Sequence, residues 1–237
     1  MTMYKLVIFD WDGTLMDSIA RIVSSMQAAA HHCQLTIPSV QCVKDIIGLS
    51  LPKALDILFP GASQSQITAL LEQYKFQYIE GDITPAPLFE DALLLLKALN
   101  DNNRLLAVAT GKGRQGLQRV LLDTQTEHFF HASRCADEAR SKPDPQMLLS
   151  LLAELSVTAE QAVMIGDTSH DMQMAQAAGI DRIGITLGVH DRDILSHYQP
   201  IAVVDSLVEL QQLLLPVVGD IPVTIQNACF SGRKKTI

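Results

Sequence analysis

Continuous apolar runs, rather than alternating ones, punctuate this chain. Residues 4–9 (YKLVIF) read as a strand buried on both faces, as in the middle of a parallel sheet. Runs of the same kind return at 105–109 (LLAVA), 162–165 (AVMI), 182–186 (RIGIT) and 201–204 (IAVV). Helical spacing of apolar residues predicts helices over 88–100, 114–124, 144–155 and 170–178, with Gly179 as the stop of the last. Strands alternating with helices predict an α/β fold: a Rossmann-like parallel sheet with right-handed crossovers.

The first crossover breaks this rhythm. From Asp17 to about Thr84 nothing reads as a strand, and the pattern predicts helices over 17–34, 39–47, 51–58 and 64–80. So long a connection predicts an inserted α-helical module. The two prolines of GDITPAP (81–87) mark the return to the core. The expected division is a core of 1–15 and 84–237 with a helical insert of 16–83. Residues 216–237 read as a tail, in which IPVTI could add an edge strand.

Composition narrows the function. Hydrophobic residues make up 48% and charged residues 19%, enough to bury a core. A net charge of −8 argues against nucleic acid and anionic membranes as partners. Arg233-Lys234-Lys235 reads as a solvated end. No stretch reaches the ~18 apolar residues of a membrane helix, and the start does not read as a signal peptide. The four cysteines, Cys33, Cys42, Cys135 and Cys229, form no CxxC pair and predict reduced thiols in a cytoplasmic protein. No coiled coil or other dimer signal is present, so a monomer is expected.

In open parallel sheets ligands bind beyond the carboxyl ends of the strands, and polar residues follow the apolar runs there. Asp10, Asp12 and Thr14 follow the first, Thr110-Gly111-Lys112 the second, and Gly166-Asp167-Thr168 with Asp171 the third. Ser141-Lys142-Pro143-Asp144-Pro145 precedes a helix. Carboxylates converging on one point repel one another unless a cation sits among them, and an all-oxygen set suits Mg²⁺. Thr110 and Lys142 offer donors to phosphate oxygens. One aspartate can act as a nucleophile, and a second, two residues on, as general acid and base. An EF-hand reading fails, because its sixth and twelfth positions from Asp10 would be Leu15 and Arg21.

The motifs DWDGT (10–14), ATGK (109–112), SKPDP (141–145) and GDTSHD (166–171), in this order, resemble those of the haloacid dehalogenase-like hydrolases. The branch they resemble is that of phosphoglycolate phosphatase. The resemblance implies a helical cap domain at 16–83, closing over the site. It implies Asp10 as nucleophile and Asp12 as general acid/base, and Mg²⁺ on the Asp10 carboxylate, the Asp12 carbonyl and Asp167. Asp171 would lie beside the metal, through water, and Thr110, Gly111 and Lys142 would bind the phosphoryl group. The implied substrate is a small phosphorylated metabolite, phosphoglycolate by preference, with Lys112, Arg114 or Lys53 as carboxylate partners.

Rival activities share the scaffold. A dehalogenase needs neither Asp12 nor Asp167. A phosphonatase needs an insert lysine, for which Lys44, Lys53 and Lys75 qualify by location alone. A phosphosugar mutase of the same fold would carry a basic residue where GLSLPKAL (48–55) has Leu51, with Lys53 a turn further on. A Mg²⁺- or phosphate-binding interaction module would not need both Asp10 and Asp12. Trp11 reads as a packing or rim residue, not a chemical one, and His170 as a rim residue.

Overall fold

The computed structural model describes residues 4–215. The first strand, β1 (Leu6–Phe9), leads into four insert helices: α1 (Ile19–His32), α2 (Val40–Lys44), α3 (Leu51–Leu58) and α4 (Gln64–Phe76). A π-helical turn, Gln77–Gly81, follows α4. The core resumes with α5 (Ala92–Asp101), β2 (Leu105–Ala109), α6 (Arg114–Asp123) and β3 (Ala132–Arg134). Then come α7 (Gln146–Leu155), β4 (Ala162–Gly166), α8 (Ser169–Ala177) and β5 (Asp181–Ile185). The last elements are α9 (Arg192–Ser196), β6 (Ala202–Val204) and α10 (Leu207–Leu214).

The strands form one sheet in the order β3-β2-β1-β4-β5-β6, and every pairing is parallel. The α/β expectation therefore holds, with β1 at the centre. Successive side chains of a strand face opposite sides, so an apolar run must supply two cores. Val7 and Phe9 join Leu96, Leu117 and Leu210 on one face. Leu6 and Ile8 join Leu151, Met164 and Met174 on the other. Trp11 is fully buried in the first of these cores, a packing residue rather than one of the rim. Gly179 does end α8, at φ +69°.

Three elements were not foreseen: β3, α9 and α10. Of these, β3 is an edge strand of three half-buried residues with no apolar run to announce it. The proposed tail strand at IPVTI lies outside the described residues.

The insert has its own apolar core, in which Ile22, Met26, Leu55 and Leu70 pack together. Local signals set its helices: a Ser63–Gln66 capping box opens α4, and Pro52 sits in the first turn of α3. Its two ends meet at one place. Asp17 N–H donates to the Pro87 carbonyl at 2.8 Å, and Phe89 N–H to the Leu15 carbonyl at 2.9 Å. Met16 and Leu88 form an antiparallel bridge between these bonds. The returning chain is tied to α1 by Asp82, which accepts from Ser24, from Ser25 (3.1 Å) and from the Thr84 amide (2.8 Å).

Candidate active site

Register along the three central strands sets the spacing of the site. Phe9 lies beside Val108 on one side and Ile165 on the other. Asp10, Thr110 and Asp167 thus emerge from adjacent strand ends, and all three are buried. Asp10 Oδ1 lies 2.8 Å from Lys142 Nζ, and Asp171 Oδ1 lies 2.7 Å from the same ammonium. Asp10 Oδ2 has no hydrogen-bond partner. Asp167 accepts from the Thr14 hydroxyl (2.8 Å) and the Val189 amide (2.8 Å). Asp171 closes a capping box with Thr168 at the start of α8.

Glycines make room, Gly13 and Gly111 among them. Gly13 takes φ +79°, and a Cβ there would stand 2.3 Å from Asp167 Oδ2. Gly111 faces the insert: its Cβ would stand 2.5 Å from the Leu49 carbonyl oxygen and 2.6 Å from that of Gly48.

Burial and mutual repulsion govern the charges. Burial pushes the Asp167 carboxyl up to about 7, with the Asp171 charge adding to the effect. Asp10 is also raised, by burial first; the nearby Lys142 ammonium offsets this only in part. For Lys142 burial works downward, but the Asp10 and Asp171 carboxylates outweigh it and keep the ammonium charged. One cation among three buried acids leaves excess negative charge.

Carboxylate oxygens of Asp10, Asp167 and Asp171 lie within 4.8 Å of one another. Together with the unpartnered Asp10 Oδ2, this donor set fits a divalent cation. Asp171 contributes its own carboxylate to the cluster.

Asp12 is turned another way. Its Oδ1 accepts from Ser18 Oγ at 2.5 Å and lies 2.9 Å from Lys112 Nζ. Lys112 in turn donates to the Tyr78 hydroxyl at 3.1 Å, a residue of the π-helical turn of the insert. Burial would lower the Lys112 ammonium, yet the Asp12 carboxylate beside it raises it overall. Ser18 occupies the N-cap position of α1 but makes no capping bond, its hydroxyl being held by Asp12. The roles of Ser18 and Tyr78 escaped the sequence reading. A serine before a helix reads as an ordinary cap, and Tyr78 lies 66 residues from Asp12.

Lys112 is therefore on Asp12 and Arg114 on Glu138 (2.6 Å). Lys53 donates to the Lys142 carbonyl at 3.4 Å. The Thr110 hydroxyl accepts from the Lys112 amide at 3.2 Å. His170 sits where core meets insert, its Nε2 3.4 Å from the Asp45 carbonyl oxygen, in keeping with a rim residue. Asp10 and Asp12 open onto a cavity of about 640 Å³ between insert and core.

A buried aspartate at the mouth of β1, a second acid two residues on and a buried acid cluster around one lysine suit phosphoryl-transfer chemistry. The chain belongs to the haloacid dehalogenase-like hydrolases, whose family model matches residues 7–185. A relative named "Probable phosphatase IndB", from Dickeya dadantii, is 34% identical over 212 residues, 88% of this chain and 92% of that one. The phosphoglycolate phosphatase of Aliivibrio fischeri is 30% identical over 222 residues, 89% of this chain and 96% of that one. The tyrosine-protein kinase PtkA of Mycobacterium tuberculosis is 34% identical over 194 residues, 81% of this chain and 65% of that one. A haloacid dehalogenase-like hydrolase structure from Streptococcus pneumoniae superimposes with a TM-score of 0.77 at 26% identity, covering 90% of this chain and 99% of that one. Within the family the chain is a phosphatase, a phosphoric monoester hydrolase. Among the described residues no helix is long and apolar enough to cross a membrane.

Proposed function

We propose that this phosphatase hydrolyses a small phosphomonoester with Mg²⁺, through an aspartyl phosphate formed on Asp10. The observation that carries the reading is the buried Asp10 carboxylate: Oδ1 rests on Lys142, Oδ2 is unpartnered, and the residue opens onto the cavity beside Asp12. In the first half-reaction an Asp10 oxygen bonds to phosphorus while the ester P–O bond breaks. Asp12 gives its proton to the departing oxygen. In the second, water attacks the phosphorus of the acyl phosphate and loses a proton to Asp12, which frees Asp10 and inorganic phosphate.

Each neighbour has a part. Lys142 orients Asp10 and offsets its charge, and Thr110 with the Gly111 backbone donates to phosphoryl oxygens. Ser18 and Lys112 hold Asp12 toward the leaving group. The Asp10 and Asp167 carboxylates and the Asp12 carbonyl, with Asp171 adjoining, would hold Mg²⁺, which when bound would supply charge neutralisation for the transferring phosphoryl group. Residues 16–83 act as a cap that excludes water from the cavity. The enzyme is placed in the cytoplasm as a monomer. Phosphoglycolate, named for the Aliivibrio relative, is the reference substrate. The mutase alternative loses support because Lys53 is engaged with the Lys142 carbonyl.

The test is hydrolysis of p-nitrophenyl phosphate by wild type and Asp10→Asn, each with Mg²⁺ and with EDTA. Turnover is expected from wild type with Mg²⁺ alone. Comparable turnover by Asp10→Asn would overturn the mechanism.

A further inference from the structure

The cavity over Asp10 and Asp12 is larger and greasier than a small phosphorylated acid requires. Its volume of about 640 Å³ lies within the range of pockets that enclose drug-sized ligands. Granting each non-hydrogen atom of phosphoglycolate the ~30 Å³ of a liquid water gives about 270 Å³, under half of that space. The insert supplies most of the wall, through Ile22, Met26, Ile46, Ile47 and Leu49. Tyr74 and Tyr78 add aromatic surface, their ring centroids 6.0 Å apart.

Charge points the same way. The cavity cation beside the acid pair, Lys112, is matched by Asp12 at 2.9 Å. Arg114 is spanned by Glu138, with Nε at 2.8 Å and Nη2 at 2.6 Å. Lys142, fully buried, is shared between Asp10 and Asp171. Of the remaining lining cations, Lys75 is exposed, and Arg119 lies 3.9 Å from Asp123 with its buried Nε lacking a hydrogen-bond partner, beside the Tyr78 ring at 6.0 Å. A carboxylate one or two bonds from the phosphate would meet Lys112 already matched by Asp12, and the aliphatic wall beyond it, and would lose its water for little gain. An uncharged ring would bury against that wall and against the tyrosines at a gain.

We infer that the substrate of this site is a phosphomonoester whose body is uncharged and ring-bearing, rather than a phosphorylated carboxylic acid. The inference rests on the phosphatase reading above and deepens it by naming the chemical class of the ester.

The experiment compares kcat/KM of the Mg²⁺-supplied enzyme for 2-phenylethyl phosphate and for 2-phosphoglycolate. Both have alkyl leaving groups, so chemistry at phosphorus is closely matched. Acetyl phosphate, which has almost no body, serves as the measure of hydrolysis itself. Wild type is expected to favour the phenylethyl ester at least ten-fold. Ile79→Arg puts a cation on the cavity wall at an exposed position that core packing does not constrain. It is expected to shrink that ratio at least three-fold, mainly through KM. Equal or better use of phosphoglycolate by wild type, with acetyl phosphate turned over, overturns this inference and leaves the phosphatase reading standing. Failure to turn over all three esters overturns both.

Discussion

Asp167 should make the metal-free protein less stable as pH rises, the reverse of ordinary acid denaturation. Its carboxyl titrates near 7 in the fold, against an ordinary 3.8, because burial and the Asp171 charge disfavour its ionised form. Between those two values the folded chain holds a proton that the unfolded chain has lost, so stability falls with rising pH. The full difference corresponds to about 4 kcal/mol, of which about 2–3 kcal/mol is spent between pH 5 and pH 7. Asp10, raised by burial in the same sense, adds to the slope. His170 and His190 work against it: burial lowers both, so their contribution grows as pH rises toward 6.5. The clean quantity is therefore the stability of wild type minus that of Asp167→Asn, measured by urea unfolding in EDTA from pH 5 to pH 8. The lost Thr14 and Val189 hydrogen bonds shift that difference by a constant. Mg²⁺ at a hundred times its dissociation constant should restore about 2.7 kcal/mol to wild type at pH 8 and far less to the variant. A difference that does not vary with pH would refute the electrostatic account of the cluster.

Other perturbations read other joints. Gly111→Ala forces a methyl against the Gly48 and Leu49 carbonyls, so kcat should fall at least ten-fold while the urea midpoint stays nearly in place. An unchanged rate would show that this contact is not needed for turnover. Lys112→Met removes the cation from Asp12, and general acid help is worth roughly 10²–10⁴-fold. Loss of about 10² is expected on an alkyl phosphate but under ten-fold on p-nitrophenyl phosphate, whose leaving group needs little protonation; equal losses would contradict the role. Asp82→Ala cuts the tie between α1 and the returning chain and should cost about 1–3 kcal/mol in urea unfolding. Burial alone would raise the Asp82 carboxyl, but hydrogen bonds from Ser24 and Thr84 outweigh it and hold it at about 2. Its contribution is thus present above pH 3.8 and fades as pH falls toward 2, and the variant's deficit should vanish there.

The central sheet was legible because parallel strands buried on both faces must be written as unbroken apolar runs, as LVIF, LLAVA and AVMIG are. The acids were legible for a related reason: a polar residue that ends such a run sits at a strand mouth. Strand β3 was illegible because an edge strand needs no such run, and α9, at five residues, is too short for periodicity to register. Within the site, Asp10, Asp12, Lys142 and Asp167 announced themselves by local motif. The partnership of Lys112 with Asp12 did not, since strand pairing and insert packing create it. The expectation that Lys112 and Arg114 would greet a substrate carboxylate ran into the same limit. Their acids, Asp12 and Glu138, come from other stretches of chain.

The Met16–Leu88 bridge has a consequence for how such a chain can be altered. The insert departs and re-enters within a few ångströms, so the sheet meets it as a closed loop whose length it hardly registers. Loop-closure entropy grows only with the logarithm of length, about 0.6 kcal/mol for each doubling. A longer, shorter or wholly foreign helical segment spliced between residues 18 and 87 should therefore leave the strand order, Asp10 and Asp167 where they are, while Ser18 is kept to hold Asp12. Selectivity can be rewritten by transplantation while the reaction centre is kept, provided the splice preserves the bonds from Asp17 to Pro87 and from Phe89 to Leu15.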